Sequence, residues 1–203
     1  MARRHPAGQL TPAGQRLLDT ASALFYRHGI RAVGVDAIAE AAGTTKKTLY
    51  DRFGSKDALV ALYLSRRFER WREFVATHLD EHAPEPGPER VLAVYDALAE
   101  WQRDAERGCA FVNAFAEIGG TDHPGVAVIR AEKETVRELY VRLVTEAGVQ
   151  AAEATELGLR LALLHEGALV TMTAGGRPDA LTHARAAAAD LLAAALPGVR
   201  VRV

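Results

Sequence analysis

Lys46 and Lys47 stand side by side, followed by Thr48, Tyr50 and Arg52, with Lys56 shortly after. Ammonium groups, a guanidinium and hydroxyls set this close together suit the holding of phosphate and the reading of base edges. Thr45 ahead of them is a good helix cap, and Leu49 and Phe53, four apart, form an inward face that anchors the helix. Both lysines fall in the first helical turn, where the macrodipole opposes cations by a few tenths of a kcal/mol each. A phosphate backbone would offset that penalty. Lys56 opens the next helix, whose free N–H groups also favour an anion. A merely solvated basic helix has the same composition, so this segment alone leaves both readings open.

The surrounding sequence supplies the elements that must position these groups. Thr11 caps a helix with Pro12 at its first position, Leu17, Ala21, Leu24 and His28 recur at helical spacing, and Gly29 ends the run. A second short helix spans about Val35 to Ala42, and Gly43 suits the sharp turn that follows. Ser55 caps a long helix to about His82, with Leu64, Phe68, Trp71, Val75 and Leu79 in a stripe. A short helix, a glycine turn and a second short helix rich in cations form the pattern of a helix-turn-helix, whose second helix enters a DNA groove.

The remainder is helical too. The prolines of Ala83–Pro88 break the chain. A fifth helix carries Val91, Tyr95, Leu98 and Trp101, Cys109–Ile118 forms a short apolar helix, and a charged amphipathic helix runs to about Ala147. Residues 152–174 carry one apolar row at Leu157, Leu161, Leu164 and Ala168, and a second at Leu159, Leu163, Gly167 and Val170. Two apolar rows need two partners: the chain's own core and, for the second, the same helix of another subunit. The final helix has a row at Leu181, Ala184, Ala188, Leu191 and Ala195. Both rows packing within one chain is the alternative. Domains are expected at 1–56 and 57–203, in an all-α fold of about nine helices.

Composition agrees. Of 203 residues 49% are hydrophobic and 25% charged, which places the chain among folded proteins. Net charge is −1, unevenly shared: residues 1–56 carry nine Lys or Arg against four acids, net +5, and the remainder 16 against 22, net −6. A basic head on an acidic body suits a polyanion at the head. The single cysteine, Cys109, precludes an internal disulfide and fits a reducing cytoplasm. No uncharged apolar run is long enough to span a membrane, and the first residues read as a loose arm rather than a signal peptide.

Taken together, Phe25-x-x-x-Gly29, Val35-x-x-Ile38-Ala39-x-x-Ala42-Gly43 and Leu49-Tyr50-x-x-Phe53-x-Ser55-Lys56-x-x-Leu59 resemble the DNA-binding domain of the TetR family of transcriptional repressors. The resemblance implies a helical homodimer that releases a DNA operator when a small molecule binds the C-terminal domain, with the fourth helix as lever. It carries DNA contact to Thr45, Lys46, Lys47, Thr48, Tyr50, Arg52 and Lys56. Val33-Gly34 stand where the family often has hydroxyl residues. Asp36 stands where many members place a basic or polar group, and either caps the second helix or accepts from a cytosine amino group. An activator would use the same motif.

Arg107–Gly120 resembles the sixth-helix region of such regulators. Trp71, Phe74, Trp101, Phe111, Phe115, Tyr140 and Met172 are candidates to line an apolar effector cavity, with Asn113, Glu117 and His165 as polar contacts. The dimer interface is expected on Leu159, Leu163, Gly167, Val170, Leu181, Ala184, Ala188 and Leu191. No metal-ligand spacing, nucleophile elbow, phosphate loop or dinucleotide fingerprint is present, so no metal, cofactor or catalytic residue is expected. The remaining enzyme reading would use Glu117 and His165 in the C-terminal cavity.

Overall fold

The computed structural model describes residues 10–197; all but the last residue of the expected N-terminal arm lies outside them. The described residues form nine helices: α1 (Pro12–His28), α2 (Val35–Ala41), α3 (Lys46–Phe53), α4 (Lys56–His82), α5 (Pro88–Gln102), α6 (Ala110–Ile118), α7 (Gly125–Glu146), α8 (Ala151–Thr173) and α9 (Ala180–Ala195). Their limits follow local chemistry. The Thr11 hydroxyl accepts from the Gly14 N–H at 3.3 Å, and Ser55 accepts from Ala58 at 3.0 Å. Between α2 and α3, Gly43 takes a φ of +61°, and the Thr44 N–H bonds back to the Ala39 carbonyl at 2.9 Å. That left-handed residue ends α2 and turns the chain toward α3. The turn before α7 extends further than the glycines suggested: Thr121 donates to the Ile118 carbonyl, His123 Nδ1 accepts from Gly125, and the helix begins there.

The chain divides into two compact units, and the division differs from a cut at residue 56. The first unit runs to Arg67 and takes in Ala110–Ile129; the second comprises Phe68–Cys109 and the chain from Arg130. In the first unit Leu17, Leu18, Phe25, Ile38, Leu49, Leu59 and Tyr63 are buried. Phe25 meets the Tyr63 ring at 5.9 Å, Arg67 lies over Tyr26, and Arg66 bonds Asp19. These contacts fix α1 on the start of α4.

The second unit is built around α5, which is buried on nearly every side; Val91, Leu92, Val94, Tyr95 and Ala97 are at most 1% exposed. α9 packs against both α5 and α8. Arg185 of α9 bonds Asp96 at 2.8 Å, and the Tyr95 hydroxyl donates to the Leu161 carbonyl at 2.7 Å. No helix among the described residues is long and apolar enough to cross a membrane.

Candidate nucleic-acid interface

α3 is short, and its placement rests on two contacts. Thr45 accepts from the Thr48 N–H at 3.1 Å and caps the helix. Leu49 is fully buried, a burial that contributes about 2 kcal/mol. The rest of the helix stays open: Tyr50 is 42% exposed, and Lys46, Lys47 and Arg52 are exposed. Lys46 Nζ lies 3.1 Å from Asp36 and Lys47 Nζ 2.6 Å from Asp51. Exposed pairs of this kind contribute less than about 1 kcal/mol, so phosphates can replace the carboxylates at small cost. Asp36 does not cap α2, whose cap position is Gly34 without a side-chain bond; it sits in the first turn and steers Lys46.

Three more of the expected DNA contacts, Thr45, Thr48 and Lys56, have partners inside the protein. The Thr48 hydroxyl shares a hydrogen bond with the Thr45 hydroxyl at 2.9 Å. Lys56 Nζ donates to the Ile30 carbonyl at 2.7 Å, which makes it a brace of the α1–α2 turn.

The residues expected around an effector fall into both units. Trp71, Phe74 and Trp101 cluster in the second, with Trp71 and Trp101 edge to face at 5.5 Å and Phe74 5.2 Å from Trp101. His165 is buried 6.2 Å from the Trp71 ring and shares a 3.0 Å hydrogen bond with the Tyr140 hydroxyl. Burial, with the positive charge of Lys133, pushes the His165 imidazole down to about 3, so it is neutral in the fold. Phe111, Asn113, Phe115 and Glu117 belong instead to the first unit. Phe115 is 46% exposed, and Glu117 accepts from the backbone N–H groups of Ile30 and Arg31. Sequence spacing gave no sign of this, because the partners lie on a separate turn far away in the chain.

A polar cluster in the second unit was also hidden in the sequence. Lys133 donates to both Glu166 oxygens at 2.9 Å, and lies 3.1 Å from Glu132 and 3.6 Å from the Cys109 sulfur. Burial disfavours its charged form, but Cys109, Glu132 and Glu166 outweigh this and hold its proton more tightly than usual. Among the described residues no group of His, Cys, Asp or Glu could hold a metal ion. A groove of about 780 Å³ lies beside these elements, lined by Phe68, Trp71, Arg72, Val75 and Leu79 of α4 and by Val136, Leu139 and Arg142 of α7. Of the expected effector residues it includes Trp71 alone.

On α8, Leu159, Leu163 and Val170 are exposed, Leu163 by 62%, and Gly167 stands open beside them. Leu191 of α9 is half-buried. Leu181, Ala184 and Ala188, expected at the same interface, are already buried in the chain's own core, where α9 meets α5 and α8.

Residues 17–63 match the family model described as bacterial regulatory proteins, tetR family. The chain is 42% identical over 71 residues to the HTH-type transcriptional repressor KstR2 of Rhodococcus jostii (strain RHA1), covering 33% of this chain and 35% of that protein. It is 34% identical over 110 residues to the HTH-type transcriptional regulator Rv1255c of Mycobacterium tuberculosis (strain ATCC 25618 / H37Rv), covering 53% of each. The matches therefore span about a third to a half of these curated relatives. The fold is similar to the crystal structure of SCO4454, a TetR-family transcriptional regulator from Streptomyces coelicolor. That likeness has a TM-score of 0.82 and 28% identity, and covers 90% of this chain and 95% of the other.

Proposed function

We infer that this chain is a DNA-binding transcriptional regulator of the tetR family, because residues 17–63 match the model of that family and the fold is similar to a TetR-family regulator over 90% of the chain. We read it as a homodimeric repressor released from its operator by a small molecule. The observation that carries the reading is α3: a helix held inward by Leu49 and capped by Thr45, which leaves Lys46, Lys47 and Tyr50 exposed, with Arg52 exposed on the side nearer α1. Lysine ammoniums supply salt-dependent attraction to phosphate, and Arg52 supplies a fork suited to a guanine edge.

One such helix reads only a few base pairs. Pairing two copies through Leu159, Leu163, Gly167, Val170 and Leu191 gives the apolar face of α8 a partner and supplies two α3 helices to a near-palindromic operator. The effector is a partly apolar molecule in the second unit, held in the groove beside Trp71, with Arg72 and Arg142 for any anionic group. α4 and α7 each contribute residues to both units, so a ligand that favours one arrangement of these helices shifts the DNA-binding population. No chemistry is assigned to His165 or Glu117: the first is a neutral core group and the second accepts backbone bonds.

The test is a binding-shift assay with the intact protein and the DNA upstream of its own gene. A shifted species whose affinity falls steeply with salt supports the reading. Absence of any shift at low salt contradicts it.

A further inference from the structure

α2 is a weak element by itself. It has seven residues, too few to be stable alone, and its N-terminus carries no side-chain cap. Its position on α1, and so the placing of α3, depends on the turn that precedes it. That turn is held by side chains from outside the helix-turn-helix. Glu117 of α6 accepts from the Ile30 N–H at 2.9 Å through one oxygen and from the Arg31 N–H at 2.7 Å through the other. Both distances are those of charge-assisted bonds. Lys56 satisfies the Ile30 carbonyl at 2.7 Å, so both peptide groups of this buried residue are bound by ionised side chains.

Gly29 completes the fit. Its φ is +89°, in the region that favours glycine, and a β-carbon there would stand 2.9 Å from Glu117 Oε1. The turn is shaped to admit a carboxylate. The loop after α6 also approaches α4: His123 Nδ1 accepts from Gly125, and its buried Nε2 lies 3.4 Å from Asp57 without a hydrogen-bond partner. α6 is thereby joined to the headpiece at the α1–α2 turn, although it follows the headpiece by more than a helix in sequence and lies outside the residues 17–63 matched by the family model.

We propose that Glu117 is a positioning residue for DNA recognition: through its two backbone bonds α6 sets where α2 and α3 stand, so α6 is a working part of the DNA-reading unit. The proposal rests on the regulator reading above. The carboxylate touches no DNA; it acts through the α1–α2 turn. A displacement of α6 that withdraws Glu117 would free the turn and lower operator affinity with every α3 contact residue still present.

The test uses the full-length, ¹⁵N-labelled protein and its Glu117→Ala and Glu117→Gln variants. Operator affinity is measured well below the melting temperature, so that a contact which merely stabilised the fold would leave it unchanged. Glu117→Ala should shift the Ile30 and Arg31 amide resonances, speed their hydrogen exchange at least about tenfold with α5 amides unaffected, and weaken operator binding about tenfold. Glu117→Gln keeps one carbonyl oxygen and should fall between. If Glu117→Ala does not fold, the near-isosteric glutamine variant decides on the same readouts. Unchanged Ile30 and Arg31 amides would overturn the clamp. Altered amides with unaltered affinity would overturn its role in positioning. If the unaltered protein binds no DNA upstream of its gene, the regulator reading fails, while the amides still judge the clamp separately.

Discussion

α3 and α8 each leave one face uncovered, and the two faces are opposite in kind. α3 hides a single leucine and exposes cations and a tyrosine. α8 hides Leu157, Leu161, His165 and Leu169 and exposes Leu159, Leu163 and Val170. Exposed lysines are stable in water and attract an anion; exposed leucines are excluded by water and associate with another apolar face. The contrast divides the work in the proposed function: one surface reads, the other sets how many readers act together.

The largest break in that contrast comes from placing charge on α8. Leu159→Glu with Leu163→Glu should raise the dissociation constant of the proposed dimer at least about a thousandfold, roughly 4 kcal/mol, as read by sedimentation equilibrium, and leave the helical circular dichroism unchanged. On the buried side of the same helix, His165 tests the core. Its folded value of about 3 lies below the ordinary 6.5, so the unfolded chain takes up a proton that the fold refuses. Stability is therefore full above about pH 6.5 and falls as the pH drops toward 3, by up to about 1.4 kcal/mol per pH unit. Urea unfolding at a series of pH values should show this slope, and His165→Gln should flatten it.

On α3, Lys46→Ala with Lys47→Ala should weaken operator binding about tenfold at moderate salt and reduce the log–log salt slope by about two, with dimerisation untouched. The smallest effect is expected from Asp36→Asn. Releasing Lys46 from its exposed partner should change the melting temperature little and raise operator affinity a few-fold at most, measured by the same titration.

The sequence was most legible where the signal is local. Thr45, Gly43 and Ser55 mark helix limits through bonds to residues within a few positions, and the helical spacing of Leu64, Trp71, Val75 and Leu79 describes a face that is buried. It was least legible where a side chain reaches across the chain. Lys56 has the type and place of a phosphate ligand, yet its partner is a carbonyl 26 residues earlier. Glu117 shares a helix face with Asn113 and so resembles a pocket pair, but its acceptors are directed at Ile30 and Arg31. α9 misled for another reason. Alanine surrounds it on most sides, so periodicity does not say which row is covered, and Leu181, Ala184 and Ala188 turned out to fill the chain's own core.

The central claim is that two α3 surfaces act on one DNA site because α8 surfaces pair. Hydroxyl-radical footprinting of the intact protein on the DNA upstream of its own gene tests this most directly. The account predicts two protected patches on one face of the duplex, about one helical turn or 34 Å apart, both lost together in the Leu159→Glu/Leu163→Glu variant. A single patch, or two that persist in that variant, would contradict it.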